Sequence, residues 1–455
     1  MHAIACLLTF GLCTGSGLTP DDHKEPSVKP PVFLVRGDKV YIRADHVIDN
    51  GAVLIQGGRI VAVGTDLQLP EGARELRGKV VCPGFVDPWS SFGLESMAGN
   101  NDRTDASTLA TDAIDPFIDA RLQQQLLRAG ITTYRVQPAE RTRECGIGAL
   151  IRLRPGADAK ASTLLGDCCV AATVGVSGDG RGMDVFDRVN DIDRLVGSIA
   201  DGWSYIQDRN EYKHDLVEWE KKIAEEQKKL DDGFKKAKKD REKEQADAKE
   251  KQKEFKDKTY KEDKKPTQPR YDPEKETLAR VASGELPLIV EVHRAAEMRN
   301  LLDATARFER LRMIIAGGTE ALAVAEQLKA RKIPVIVWPA PMGQSRPDQY
   351  AQYDLALAAQ LKEAGVEVLL GSGGADAATR DLPLLAALAV GHGLGREAAL
   401  EALTIGAARA LDVADRIGSL EVGKDADLIV LDGEPLATTS RVHFVLSGGE
   451  LVIEE

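Results

Sequence analysis

Histidine is scarce in this chain: seven occur in 455 residues. No H-E-x-x-H pair is present, and neither a G-x-S-x-G elbow nor a P-loop can be found. Zincin, serine-hydrolase and nucleotide-phosphate chemistry therefore lack a carrier. A basic surplus is missing too. Lys and Arg number 60 against 72 Asp and Glu, which leaves a net charge of −12 and a pI near 5.3. Phosphate backbones require a basic face, so nucleic acid is not the expected partner. No apolar run approaches the ~20 residues that span a bilayer, and no transmembrane segment is expected. Cysteine occurs six times without the C-x-x-C spacing of a zinc site or the pattern of a disulfide framework. Vicinal Cys168 and Cys169 lie in an apolar run, where buried free thiols are the expectation.

At its start the chain carries an apolar run from Ala3 to Leu12, then small residues and a polar exit. That order reads as an export signal over residues 1–20, followed by a Pro- and charge-rich linker over 21–31. A secreted or periplasmic location follows as an expectation. The remaining length is enough for two or three domains.

Short strand-like segments run from Val32 to Cys82, with Gly57-Gly58 between two β-branched runs as a hairpin signal. Ile417–Glu455 repeats the pattern, with turn signals at Gly423-Lys424, Asp432-Gly433 and Gly448-Gly449. A small sheet cannot bury both faces alone. Residues 32–82 and 416–455 together therefore predict one composite β-sandwich built from both ends. Residues 83–415 alternate instead. Helical periodicity over 118–129, 295–308, 320–331 and 350–364 is interleaved with strand patterns at 130–136, 286–292, 312–315, 334–338 and 366–370. Such alternation predicts an α/β architecture with a parallel sheet and crossover helices. Periodicity does not choose between an open sheet and a closed barrel.

A charged helical insertion over 211–276 interrupts that alternation. Asp215–Lys265 is dense in Lys, Glu and Asp, contains no proline and offers many i,i+4 Glu–Lys pairs. Leu216, Trp219, Ile223, Leu230 and Phe234 make an apolar stripe that then fades, short of the heptads a sustained coiled coil needs. The expected form is a helix docked at its start and projecting into solvent. It is either a solvated insertion or an arm that binds a protein partner.

Five stretches carry a family resemblance. Val80–Glu95 reads VVCPGFVDPWSSFGLE, Ala129–Thr133 AGITT, Gly146–Leu153 GIGALIRL and Leu286–Ala295 LPLIVEVHRA. The fifth is Gly418-Ser419-Leu420 with Gly423-Lys424-Asp425-Ala426-Asp427-Leu428. In this order they resemble the amidohydrolase superfamily, in its imidazolonepropionase-like branch, from Val32 onward. The resemblance implies a (β/α)8 TIM-like barrel over 83–415 joined to the composite β-sandwich. It also implies hydrolysis of non-peptide C–N bonds by a water activated on one or two divalent metals.

At the family's ligand positions the residues are mostly different. Trp89 and Ser91 stand where the resemblance implies the two histidines of H-x-H. Gly317 stands for another histidine, and Gly373 for the catalytic Asp of G-[ST]-D. Tryptophan offers a metal no lone pair and serine is a poor neutral ligand. Glu291 replaces one histidine of H-A-H-R, and His293 is retained two residues on, the same side of a regular strand. Residual zinc or another divalent metal would rest on Glu291 and His293. Asp376, three residues after Gly373, would serve as a catalytic base only through a shift of register. Asp87 is expected to order the loop after its strand, and Gly175–Gly182 to form a flexible loop at the barrel mouth. The expectation is a cofactor-free, non-catalytic homologue that binds a small molecule at that mouth or acts as a scaffold. The alternative is an active hydrolase with a reduced or relocated site built on Glu291, His293 and Asp376.

Overall fold

A computed structural model describes residues 31–94, 105–115, 118–138, 144–157, 162–175, 185–248, 264–339, 354–374 and 376–455. For 144, 185, 230–248 and 376 it describes the backbone only. The expected export signal, most of the linker and the glycine-rich loop after Gly175 lie outside the described residues. Among the described residues no helix is long and apolar enough to cross a membrane.

The strands, in chain order, begin with β1 (Val32–Arg43), β2 (His46–Gln56), β3 (Arg59–Gly64), β4 (Arg74–Pro83) and β5 (Phe85–Asp87). There follow β6 (Ile131–Val136), β7 (Glu144–Arg152), β8 (Thr163–Thr173), β9 (Leu288–Val292) and β10 (Met313–Gly317). The last are β11 (Val335–Val337), β12 (Val368–Leu370), β13 (Leu428–Leu431), β14 (Val442–Ser447) and β15 (Glu450–Glu454).

Both ends of the chain meet in one sheet of order β15-β14-β13-β4-β1-β2-β3. It is a single hydrogen-bonded sheet rather than two stacked ones, and it bends back on itself. At the β3 edge, Ile60 N donates to Lys424 O and Gly423 N to Ile60 O, at 2.9 and 2.8 Å. Ala426 N donates to Gly58 O at 2.9 Å, just before β13 begins. The β2–β3 and β14–β15 turns touch there. A Cβ on Gly449 would lie 2.2 Å from Gly58 Cα, and both glycines have positive φ. No side chain fits that crossing. Inside the bend, Phe33, Val35, Val53, Ile55 and Ile60 pack with Leu420, Leu428 and Val430. Neither terminal segment has a core without the other.

The second sheet has the order β12-β11-β10-β9-β8-β7-β6-β5. Its first and last strands come together beyond their ends. Ser90 bridges Gly374, Gly373 N donates to Trp89 O and Ser91 N to Gly374 O, both at 3.1 Å. The result is a nearly closed eight-stranded TIM-like barrel beside the composite sheet. It departs from an all-parallel barrel at one strand: β7 is antiparallel to both β6 and β8. Among the described residues no helix separates β6, β7 and β8, and a short connection forces neighbouring strands to run antiparallel. Helix Ala120–Arg128 joins β5 to β6, and Ala295–Thr305, Ala325–Ala330 and Leu357–Glu363 precede β10, β11 and β12. Among the described residues three helices follow β12: Asp376–Gly391, Arg396–Leu403 and Ile405–Ala410.

Barrel side chains alternate as the pleat dictates. Phe85, Tyr134, Val290, Ile315, Val337 and Leu370 face the helices. Val86, Ile289, Ala316, Ile336 and Leu369 fill the interior with Trp89, Trp338, Cys168 and Cys169. The charged helix starts earlier than its composition indicates, running from Val185 to Ala248 over 64 residues. At 1.5 Å per residue that is roughly 95 Å. Ile192, Leu195, Val196, Ile199 and Tyr205 anchor it to the barrel. Gly202 brings its backbone against Leu278 of helix Pro273–Ala282, where a Cβ would lie 2.4 Å away. The stripe at Leu216, Trp219 and Ile223 is only half-buried.

Candidate functional site at the barrel mouth

Residues just past the C-terminal ends of β5, β9, β10, β11 and β12 converge on one end of the barrel. This is the end at which barrel enzymes place their chemistry. Inward-facing Trp89 follows β5, His293 follows β9 and Trp338 follows β11. All three are buried, at 4, 4 and 8% exposure. Trp89 and Trp338 ring centroids lie 6.3 Å apart, and the His293 ring meets the Trp338 edge at 5.2 Å. The Arg135 guanidinium, inward from β6, stacks beneath Trp89 at 4.6 Å. Together they form an aromatic plug.

Gly317 and Gly373 accommodate this plug. A Cβ on Gly317 would sit 2.3 Å from His293 Cε1, and one on Gly373 would sit 2.5 Å from Trp338 Cδ2. Their φ values of 79° and 72° disfavour other residues independently. Space that a side chain at either glycine would occupy is thus filled from the neighbouring strand by a ring. His293 Nδ1 is 2.8 Å from Thr319 Oγ1, and its Nε2 lies 3.5 Å from Glu291 Oε1. Both side chains are buried. The pair is well packed rather than open.

Asp87 orders the loop after β5. Its Oδ1 accepts from Trp89 N at 3.0 Å and from Ser372 N at 3.1 Å, which ties β5 to the end of β12. A hydroxyl cluster completes the clasp. Ser372 Oγ donates to Trp89 O at 2.9 Å, and Thr379 Oγ1 lies 2.7 Å from Ser90 Oγ. Burial pushes the Asp87 carboxyl up to about 6, against the hydrogen bonds from Ser372 and Trp89 and the nearby Arg135 charge. Its Oδ2 is buried with no hydrogen-bond partner among the described residues.

The sequence resemblance implies a divalent metal, and the donor set among the described residues does not fit one. Trp89, Gly317 and Gly373 bring no donor atom, and His293 has one nitrogen engaged by Thr319. Among the described residues no three His, Cys, Asp or Glu side chains are grouped so as to hold a metal ion. Asp376 begins a helix, and its side chain lies outside the description. Sequence reasoning missed Trp338, Arg135 and Thr319. Trp338 was findable: it follows Ile336 by two residues at the end of a predicted strand, which puts it on the inward face.

Geometry and topology thus define a TIM-like barrel with an additional sheet from both ends. A sequence model of the Amidohydrolase family matches residues 80–452, and the chain belongs to that family. An amidohydrolase from Thermotoga maritima MSB8 superposes with a TM-score of 0.71 at 22% identity, over 93% of this chain and all of that one. N-isopropylammelide isopropylaminohydrolase from Burkholderia multivorans gives 0.52 at 17% identity, over 93% of this chain and 98% of that one. At those identities the likeness is one of fold. Among curated proteins, the chain is 41% identical over 56 residues to an imidazolonepropionase of Geobacillus sp. (strain WCH70). It is 47% identical over 57 residues to that of Syntrophobacter fumaroxidans (strain DSM 10017 / MPOB). These matches cover 10 and 12% of this chain and 13% of each relative's length.

Proposed function

We propose that this chain is a non-catalytic member of the amidohydrolase family, acting as a binding or scaffold homologue. The observation that carries the reading is the wedge of Trp89, His293 and Trp338, seated where Gly317 and Gly373 have replaced ligand-bearing residues. A metal-activated water needs several imidazole and carboxylate donors aimed at one point and an open coordination position. Large rings and missing side chains remove both. Any small-molecule ligand would enter through displacement of the plug, and the long charged helix is the surface offered to a protein partner. Export from the cytoplasm belongs to the same reading, and is supported by the apolar run from Ala3 to Leu12.

Elemental analysis of the purified protein tests it. The expected result is zinc, iron and manganese far below one per chain, unchanged in the Glu291→Ala and His293→Ala variants. The competing reading is an active hydrolase of non-peptide C–N bonds with a site reduced to Glu291, His293 and Asp376. The 3.5 Å Glu291–His293 approach favours it. Stoichiometric metal that disappears with either substitution would establish that alternative and overturn the first.

A further inference from the structure

Directly beneath the plug lies a cluster that neither reading uses. Adjacent residues of a regular strand point to opposite faces, so their side chains do not meet. Cys168 and Cys169 break that rule. Pairing of β7 with β8 slips between Gly148–Cys169 and Leu150–Leu165, so that two residues of β7 oppose four of β8. This bulge turns both thiols into the barrel interior, with 3.5 Å between the sulfurs. Arg135 Nε donates to Cys169 Sγ at 3.2 Å, and Cys168 Sγ donates to Gly148 O at 3.2 Å. Room for the arrangement comes from Gly148, where a Cβ would lie 2.8 Å from Cys169 Sγ and 3.1 Å from Arg135 Nε. One thiol thus faces a fixed cation, and a second is poised beside it.

We propose that Cys168 and Cys169 form an oxidisable dithiol that hydroperoxides convert into a vicinal disulfide. The thiolate is the reactive form of cysteine, and a neighbouring guanidinium stabilises it. Burial raises the Cys169 thiol, but its hydrogen bond with Cys168 and the Arg135 charge outweigh burial and leave it lowered. Burial together with the Cys169 sulfur holds Cys168 up as a protonated thiol. Cys82 is buried without such compensation and is pushed far up.

The reaction has two steps. Cys169 sulfur attacks one peroxide oxygen, the O–O bond breaks, and the departing hydroxide takes a proton and leaves as water. Cys169 is then a sulfenic acid. Cys168 sulfur attacks it, the S–S bond forms and the S–O bond breaks. Hydroxide departs with the Cys168 proton as a second water. Two electrons pass from the two thiols to one peroxide. Hydrogen peroxide, small and uncharged, reaches the site through local opening of the barrel mouth. Loss of the thiolate removes a partner of Arg135, the cation stacked on Trp89, so oxidation is reported to the plug.

Full-length protein treated with hydrogen peroxide, quenched, unfolded, alkylated with N-ethylmaleimide and digested provides the test. The expected peptide carrying Cys168 and Cys169 is about two mass units lighter and unalkylated. Dithiothreitol restores both alkylation sites, whereas Cys82 and Cys145 are alkylated throughout. In Cys168→Ser the reaction stops at a Cys169 sulfenic acid captured by dimedone. Arg135→Gln, checked for folding by circular dichroism, slows oxidation by about tenfold. Selectivity over Cys82 and Cys145 disappears when peroxide is applied in guanidinium chloride. Alkylation of Cys168 and Cys169 at a peroxide dose that oxidises Cys82 or Cys145 overturns the proposal. Equal selectivity in the native and unfolded protein overturns it as well, and this comparison stands even where a variant fails to fold.

Discussion

Two regions of the molecule carry the family's sequence pattern, and they have fared differently. One is the seam between the barrel and the composite sheet. There Arg152 Nη2 of β7 reaches Asp425 Oδ2 and Asp427 Oδ2, each at 2.7 Å. Arg416 joins Asp425 at 2.9 Å, and Gly448 N donates to Asp427 Oδ1 at 2.7 Å. Burial raises both carboxyls; Arg152 and Arg416 together outweigh it at Asp425, whereas Asp427, wholly enclosed, stays raised. Two of the G-K-D-A-D-L letters, Asp425 and Asp427, thus tie the composite sheet to β7 of the barrel. The other region is the mouth, where Trp89, Ser91, Gly317 and Gly373 stand at the positions that the sequence resemblance reads as ligand positions. Seam residues support the folded state whatever reaction the barrel performs. Metal ligands are needed only while the reaction is.

If that contrast is right, breaking the seam costs most. Arg152→Ala takes the cation from buried Asp427, while Asp425 keeps Arg416 at 2.9 Å and Arg59 at 3.4 Å, and removing one partner of a buried ion cluster costs about 3–5 kcal/mol. Guanidinium unfolding of the purified variant should show a loss in that range. A loss below about 1 kcal/mol would mean the seam is a surface contact.

Returning a family residue to the mouth comes next. Gly373→Asp places a side chain against Trp338 on a backbone with φ of 72°. Overpacking and left-handed strain together cost about 2–4 kcal/mol, and elemental analysis should show no metal gained. Trp338→Ala in the same chain removes the clash while leaving the strain. The double variant should therefore be more stable than the sum of the single losses predicts, by about 1 kcal/mol or more. Strict additivity would mean that Gly373 does not make room for the plug.

An effect of similar size follows the pH. Asp87 holds its proton up to about 6 in the folded protein, whereas the unfolded carboxyl releases it near 4. Between those values the folded state binds more protons than the unfolded, so stability contributed by this group falls as pH rises. It is fully present below about 4 and lost above about 6, a change of roughly 3 kcal/mol. Asp87→Asn retains an acceptor for Trp89 N and Ser372 N but does not titrate. Relative to the natural chain, its stability should rise by about that amount between pH 4 and pH 7 in denaturant titrations.

Legibility in the sequence followed the same divide. The composite sheet showed through its turn signals, because Gly57-Gly58 and Gly448-Gly449 adopt the positive φ that hairpins require. The departures of Trp89, Ser91, Gly317 and Gly373 from the resembled motifs could be read residue by residue. The packing around them could not, because Trp338 packs on Gly373 and His293 on Gly317 across strand ends distant in the chain. The antiparallel β7 was equally hidden: GIGALIRL has the alternation of a strand, and alternation carries no direction. The helix start at Val185 escaped because 192–205 docks by ordinary apolar spacing while the charge density begins only at Asp215.

The smallest prediction divides the seam itself. Lys424 is buried and donates to Ser419 Oγ at 2.5 Å, while its contact with Glu421 at 2.8 Å reaches an acid 41% exposed. Glu421 occupies a variable position of the G-S-L-x-x-G-K pattern, and its partners Lys424 and Ser419 are pattern letters. An ion pair open to solvent is worth less than about 1 kcal/mol and is screened by salt. Glu421→Gln should therefore lose under about 1 kcal/mol at low ionic strength and almost nothing in 1 M salt. Lys424→Met should lose clearly more at both, since Ser419 is then buried without its donor. Equal losses for the two variants would show that the pattern letters at the seam are kept for something other than burial.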